Sequence, residues 1–310
     1  MTIVTRRVAA NGFDFAVDEA GEGGHLALCL HGFPESRFSW RYQLPLLAQM
    51  GYRAWAPDLR GYGETEPKPR AVSAYVIDRL IEDVAALIDA SGATCVTLIG
   101  HDWGAGLAWT FAANRIRPLE RLVIMNVPHP AVMAAHLRRS WAQLGKSWYM
   151  AFFQLPVVPE RALTAKDARA IRNAFHAMAI DKSTFTPDVL DRYAADAQRP
   201  GAITGMVNWY RAAFRLGGKL RGPWPTIETP TLIVWGEEDA ALGIELLDGT
   251  EAYVGDLTIE RLPGVSHWVQ QEAPEAVNAI LKGWLSSVLD LKFACSTGHA
   301  PSELQIQEAH

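Results

Sequence analysis

The chain has 310 residues and a formal net charge of −5 at neutral pH, with 49% hydrophobic and 20% charged residues. That composition supplies a large core and excludes a disordered chain, while the acidic balance excludes a nucleic-acid binder working through a basic face. Three cysteines, Cys29, Cys95 and Cys295, form no Cys-x-x-Cys pair or Cys/His cluster with zinc-site spacing, so no metal is expected.

The first ten residues carry charge but not the apolar core of a secretory signal. Along the chain, short apolar runs ending in Gly, Pro, Asn or Asp predict strands at 25–30, 53–56, 95–99, 121–125, 231–234 and 258–262. Cys29 and Cys95 fall inside such runs and read as buried reduced thiols. Helical patterns at 72–90, 103–113 and 275–289 alternate with the strands, which predicts an α/β fold with a mostly parallel, doubly wound sheet. From 130 to 217 the rhythm changes to helix only, at 133–144, 148–153, 165–178, 187–197 and 203–214. The expected organisation is therefore a core of 1–129 and 218–293, a helical cap of 130–217 and a frayed tail of 294–310. No apolar run approaches the ~20 residues of a membrane helix, and the expectation is a cytoplasmic protein with no membrane or nucleic-acid partner.

Gly100-His101-Asp102-Trp103-Gly104 stands between a strand and a helix and has the G-x-S-x-G frame of a nucleophile elbow, with Asp in the serine position. Such an elbow lifts its central side chain to the carboxyl end of the sheet beside a helix N-terminus, which keeps a carboxylate ionised. An Asp there also suits an ordinary helix cap. Two further residues favour the elbow: Asp239 just past the strand at 231–234, and His267 just past the strand at 258–262. Nucleophile, acid and histidine then follow the chain order of this motif's triads, each at a strand's carboxyl end, where open α/β sheets bind ligands. His31-Gly32-Phe33-Pro34 supplies a loop for an oxyanion hole, whose two backbone N–H donors would be Phe33 and Trp103. Among the other histidines, His31 reads as orienting its loop, His101 as pointing away from the pocket, and His129, His136 and His176 as structural or solvated. Asp58-Leu59-Arg60-Gly61-Tyr62-Gly63 reads as loop structure.

Taken together, HGFP, DLRGYG, GHDWG, the acid of WGEED and the histidine of GVSHW resemble the α/β-hydrolase superfamily over roughly residues 8–290. More narrowly they resemble its Asp-nucleophile branch, which holds epoxide hydrolases and haloalkane and haloacetate dehalogenases. The resemblance implies an α/β-hydrolase fold with an inserted helical cap. It also implies that Asp102 attacks a saturated carbon to form an alkyl ester, and that His267, oriented by Asp239, activates the water that hydrolyses it. Epoxide hydrolases of this fold use two cap tyrosines, one before a Phe/Tyr-Phe-Gln stretch and one within Asn-Trp-Tyr-Arg. Here Trp148-Tyr149-Met150-Ala151-Phe152-Phe153-Gln154 and Asn208-Trp209-Tyr210-Arg211 match, which implies Tyr149 and Tyr210 as the groups that polarise and protonate the epoxide oxygen.

The haloacetate group places arginines just after the nucleophile, where this chain has Trp103 and Gly106, and keeps its acid where this chain has Asn126. A haloalkane dehalogenase, with Trp103 and Trp148 or Trp209 on the halide, is the alternative, beside a ligand-binding homologue without turnover. The expected pocket of Phe33, Trp103, Phe152, Phe153, Trp209 and Trp268 suits an apolar or aryl epoxide. Water is the second reactant, no cofactor is implied, and a monomer or homodimer is expected.

Overall fold

The computed structural model describes residues 2–137, 148–217 and 224–286. The part of the expected helix at 133–144 beyond residue 137, Cys295 and the tail at 294–310 lie outside them.

Among the described residues eight strands form one sheet in the order β1-β2-β4-β3-β5-β6-β7-β8, where β1 is Val4–Ala10 and β2 is Phe13–Ala20. β3 (His25–Leu30), β4 (Arg53–Pro57), β5 (Cys95–His101), β6 (Arg121–Met125), β7 (Thr231–Gly236) and β8 (Leu257–Leu262) run parallel. Every residue of β5 and β7 is buried, as in a sheet covered on both faces. Alternate residues feed two cores. Leu122 and Ile124 of β6 pack on one face with α2 (Ile77–Ser91) and α3 (Trp103–Ala113), while Val123 and Met125 pack on the other with α1 (Gln43–Gln49) and α10 (Pro274–Ser286). α2 buries Leu80, Ile81, Val84, Leu87 and Ile88, the i, i+3/i+4 stripe of a helix lying on a core, and stops at Gly92 in the left-handed region. The edge strand β8 is less apolar than its neighbours, and its exposed Glu260 and Arg261 blunt the open edge.

Two strands lie outside the expected set. β1 (Val4–Ala10) and β2 (Phe13–Ala20) form an antiparallel hairpin, and β2 pairs antiparallel with β4. Most of β1 is exposed, so its apolar signal is weak. The hairpin is instead specified by Asn11-Gly12, whose φ values of 47° and 78° are those of a primed turn.

Between β6 and β7 the described chain forms α4 (Pro130–Leu137), α5 (Trp148–Phe152), α6 (Val158–Met178), α7 (Pro187–Gln198), α8 (Ala202–Arg215) and a short 3₁₀ turn. α6 begins before the expected 165, and the expected start coincides with a break, where Lys166, Asp167 and Ala168 have φ of 51°, 58° and 52°. The helix expected at 72–90 is likewise split by extended Val76 into a 3₁₀ turn and α2.

Cys29 is a buried free thiol. Cys95 is buried as the first residue of β5, at the amino edge of the sheet. No described helix is long and apolar enough to cross a membrane.

Candidate active site

Asp102 occupies the turn between β5 and α3 at φ 48° and ψ −122°, a conformation that costs a non-glycine residue about 1–3 kcal/mol. Its side chain makes no capping hydrogen bond to α3, so the ordinary helix-cap reading does not describe it. Two glycines make the crowding possible. A Cβ on Gly104 would lie 2.1 Å from the Leu30 carbonyl oxygen, and one on Gly32 would lie 2.2 Å from Asp102 Oδ1. The loop after β3 therefore passes against the carboxylate itself, and Phe33 N–H donates to Oδ1 at 2.6 Å. The second expected donor, Trp103 N–H, belongs to the first turn of α3, where no intrahelical acceptor exists.

The other carboxylate oxygen, Oδ2, faces His267 Nε2 at 3.7 Å, and His267 Nδ1 meets Asp239 Oδ2 at 2.6 Å. β7 and β8 end side by side, which is why residues 28 apart in sequence meet. Asp239 is buried, with Oδ1 accepting from the N–H groups of Ala241 and Leu242. Burial works against both carboxylates, but hydrogen bonds and the charge of His267 outweigh it and hold Asp102 and Asp239 below the usual range. Burial likewise works against the charged imidazole, yet Asp239 and Asp102 together push His267 up to about 10.

Several buried partners of these residues have no signature in the sequence. Asn126, at the end of β6, donates to Asp239 Oδ2 at 2.9 Å and accepts Gly236 N–H at 2.9 Å, which clamps the acid from the position the haloacetate group uses for its own. Glu35 is fully buried and pairs with His101 Nδ1 at 2.8 Å, while His101 Nε2 reaches the His267 carbonyl at 2.8 Å. The same carboxylate accepts Gly32 N–H and the side-chain amides of Gln270 and Gln271. Burial opposes its charge, but His101 and Gly32 hold Glu35 low. His101 thus points below the site, and His31 accepts the Leu59 N–H at 3.0 Å. A local pattern could not expose partners separated by up to 236 residues; only the odd Asn at an acid position was a signal. Asn126→Ala is expected to lower stability by about 1–3 kcal/mol by leaving buried polar groups unpaired, and to reduce turnover with it. Thermal unfolding and steady-state rates check this, and a variant unchanged in both would refute the clamp.

Above the carboxylate sit aromatic rings of the β6–β7 insertion. Tyr149 comes from α5 and Tyr210 from α8, with ring centroids 5.9 Å apart. Tyr210 meets Phe33, Trp103 and Phe153 at 5.3, 5.0 and 4.8 Å. Phe152 lies against Phe153. Burial, then the charge of Asp102, raises both phenols above their ordinary value. Two tryptophans expected in the pocket have other partners. Trp209 donates to the Arg60 carbonyl at 2.9 Å and packs on Tyr62, anchoring α8 to the core; it also touches Trp103. Trp268 lies between His267 and Phe175 and Phe185, away from the Tyr210 group. Tyr62, read from sequence as loop structure, has a fully buried hydroxyl with no hydrogen-bond partner among the described residues. The Asp102 charge adds to burial in raising it.

A family model described as alpha/beta hydrolase fold matches residues 28–274. Epoxide hydrolase 4 of Homo sapiens is 39% identical over 283 residues, 89% of this chain and 76% of that protein. The AB hydrolase superfamily protein YfhM of Bacillus subtilis is 37% identical over 282 residues, 90% of this chain and 97% of that protein. Among solved structures, an inhibitor complex of Bacillus megaterium epoxide hydrolase superposes with a TM-score of 0.83 at 31% identity, covering 91% of this chain and 100% of that one.

Proposed function

The chain belongs to the α/β-hydrolase family, and from that premise we propose that it is an epoxide hydrolase opening apolar or aryl epoxides to vicinal diols through an ester on Asp102. One observation carries the reading. Asp102 holds one oxygen on the Phe33 N–H and turns the other toward His267, beneath two tyrosines that sense its charge.

In the first half-reaction Asp102 Oδ2 attacks an epoxide carbon, forming the ester C–O bond and breaking the ring C–O bond. Tyr149 and Tyr210 donate to the departing oxygen. Because both phenols are held above their ordinary value, they act first as hydrogen-bond donors and release a proton only as the alkoxide forms. Alkylation also removes the Asp102 charge, one of the causes that raise His267. The imidazole then gives up its proton, which restores the tyrosine, and becomes a base.

In the second half-reaction His267 Nε2 takes a proton from water, whose oxygen attacks Asp102 Cγ. The developing oxyanion meets Phe33 N–H, joined by the free N–H of Trp103 at the start of α3. Collapse breaks the Cγ–O bond to the substrate. The proton of the resulting carboxylic acid passes to the diol oxygen, and His267 ends as it began, protonated. Asp239, clamped by Asn126, stabilises that cation. The insertion serves as a cap that brings the tyrosines down on the carboxylate and keeps bulk water out.

A single turnover with styrene oxide in ¹⁸O-water tests the route. The expected result is ¹⁸O in the Asp102 carboxylate, located by peptide mass, and unlabelled oxygen in the first diol released. Label in that diol with none in Asp102 would sink the covalent route.

A further inference from the structure

Glu272 joins the insertion to the loop that carries His267. It lies in α9 (Val269–Glu272), at 7% exposure. One carboxylate oxygen, Oε1, accepts the backbone N–H groups of Ile180 and Asp181 at 3.2 and 2.9 Å, in the loop between α6 and α7. The other, Oε2, accepts the hydroxyl of Ser266, the residue immediately before His267. Ser266 is fully buried, and its oxygen also receives Trp268 N–H at 3.3 Å. The receiving loop is built to meet it: Asp181 turns back to cap Ser183 N–H at 2.9 Å. Phe175, near the end of α6, and Phe185, in the loop itself, pack on Trp268 with ring centroids at 4.7 and 6.5 Å. The two residues flanking His267 are thus each held by the insertion, one through a carboxylate and one through ring packing.

We propose that Glu272 and Ser266 are positioning residues for the hydrolytic half-reaction, through which the α6–α7 side of the insertion fixes the direction of His267. The inference rests on the two-step reading above. Alkylation uses Asp102 with tyrosines from α5 and α8, and none of these touches Glu272 or Ser266. Ester hydrolysis uses His267 Nε2, and a displacement of about 1 Å in such a group costs up to about 10²-fold. The insertion therefore carries two separate duties: α5 and α8 serve ring opening, and the α6–α7 loop serves water attack. Ser266→Ala takes the hydroxyl from the buried Glu272 Oε2, and Glu272→Ala leaves the Ser266 hydroxyl without its acceptor and the Ile180 and Asp181 N–H groups without theirs, so either change loosens the link from both ends.

The two rates are separated by rapid acid quench and intact-protein mass, following appearance and decay of the alkyl-enzyme with styrene oxide. Ser266→Ala and Glu272→Ala should each slow decay about tenfold with appearance within about twofold, so the ester accumulates. Glu272→Gln, which keeps hydrogen bonding on both sides, should stay within about threefold of wild type in decay. Val277→Ala in α10 serves as a variant destabilised elsewhere. A merely structural role predicts that Ser266→Ala resembles it, losing melting temperature and active fraction without changing the ratio of the two rates; that result, or equal slowing of both steps, overturns the proposal. Failure of the two-step reading looks different: no alkyl-enzyme would appear in any variant.

Discussion

His267→Gln should consume about one equivalent of epoxide and then stop, its mass increased by that of the substrate. The substitution leaves Asp102 with Phe33 N–H on Oδ1 and leaves both tyrosines in place, so ring opening persists. What disappears is the base, worth about 10²–10⁴-fold in such steps, so steady-state diol formation should fall by that order while the ester survives for peptide mapping. An unmodified variant after long incubation would count against the role assigned to His267. The wild-type protein should approach the same state in acid. His267 stands near 10 while Asp102 is charged, and loses part of that elevation once Asp102 is esterified. As pH falls, the imidazole of the alkyl-enzyme regains its proton and ceases to be a base, whereas Asp102, held below the usual carboxylate range, remains a nucleophile. Between about pH 9 and about pH 5 the quenched ester fraction should therefore rise. A flat or falling fraction contradicts the sign.

Tyr149→Phe combined with Tyr210→Phe should remove epoxide opening while leaving the fold intact. Phenylalanine keeps the ring contacts of Tyr210 with Phe33, Trp103 and Phe153 and gives up the hydrogen bond that the Tyr210 hydroxyl accepts from the Trp103 side chain. The loss that reaches the chemistry is of the proton donors, expected to cost about 10²–10⁴-fold or more in alkylation rate because neither tyrosine can cover for the other. A halide departs without a proton, so 1-bromobutane separates the readings. Wild-type protein should yield diol from styrene oxide and no bromide. Bromide release that persists in the double variant would shift the assignment to a haloalkane dehalogenase with Trp103 on the halide. Neither product from wild type would favour a binder that keeps the pocket without turnover.

The parts of the molecule legible in the sequence are those where chemistry restricts a residue locally. Gly100 and Gly104 flank a strained turn, and Asp239 and His267 follow apolar runs directly, so strand ends and candidate residues announce each other. The hairpin of β1 and β2 went unseen because β1 has almost no buried face to give it period, although Asn11-Gly12 named the turn. The supports of the site were illegible for a different reason. Glu35, Gln270, Gln271 and Glu272 are polar residues made into partners by topology, and nothing in their own neighbourhoods distinguishes them from surface residues. Trp209 and Trp268 show the converse limit: adjacency in sequence to Tyr210 and His267 places an aromatic near a site without saying which way it packs.

The position of Trp103 has an optical consequence. Its indole stands one residue from Asp102, edge-on to Tyr210 at 5.0 Å, whereas Trp40, Trp55, Trp109 and Trp235 are sealed in the core. Esterification changes the charge beside the Trp103 indole, and the proton that His267 then gives up changes it beside Trp268, 5.0 Å away, while those four keep their setting. The protein therefore contains its own emission probe for the covalent state, read against a constant background, and each half-reaction can be timed on unlabelled enzyme with substrates that carry no chromophore.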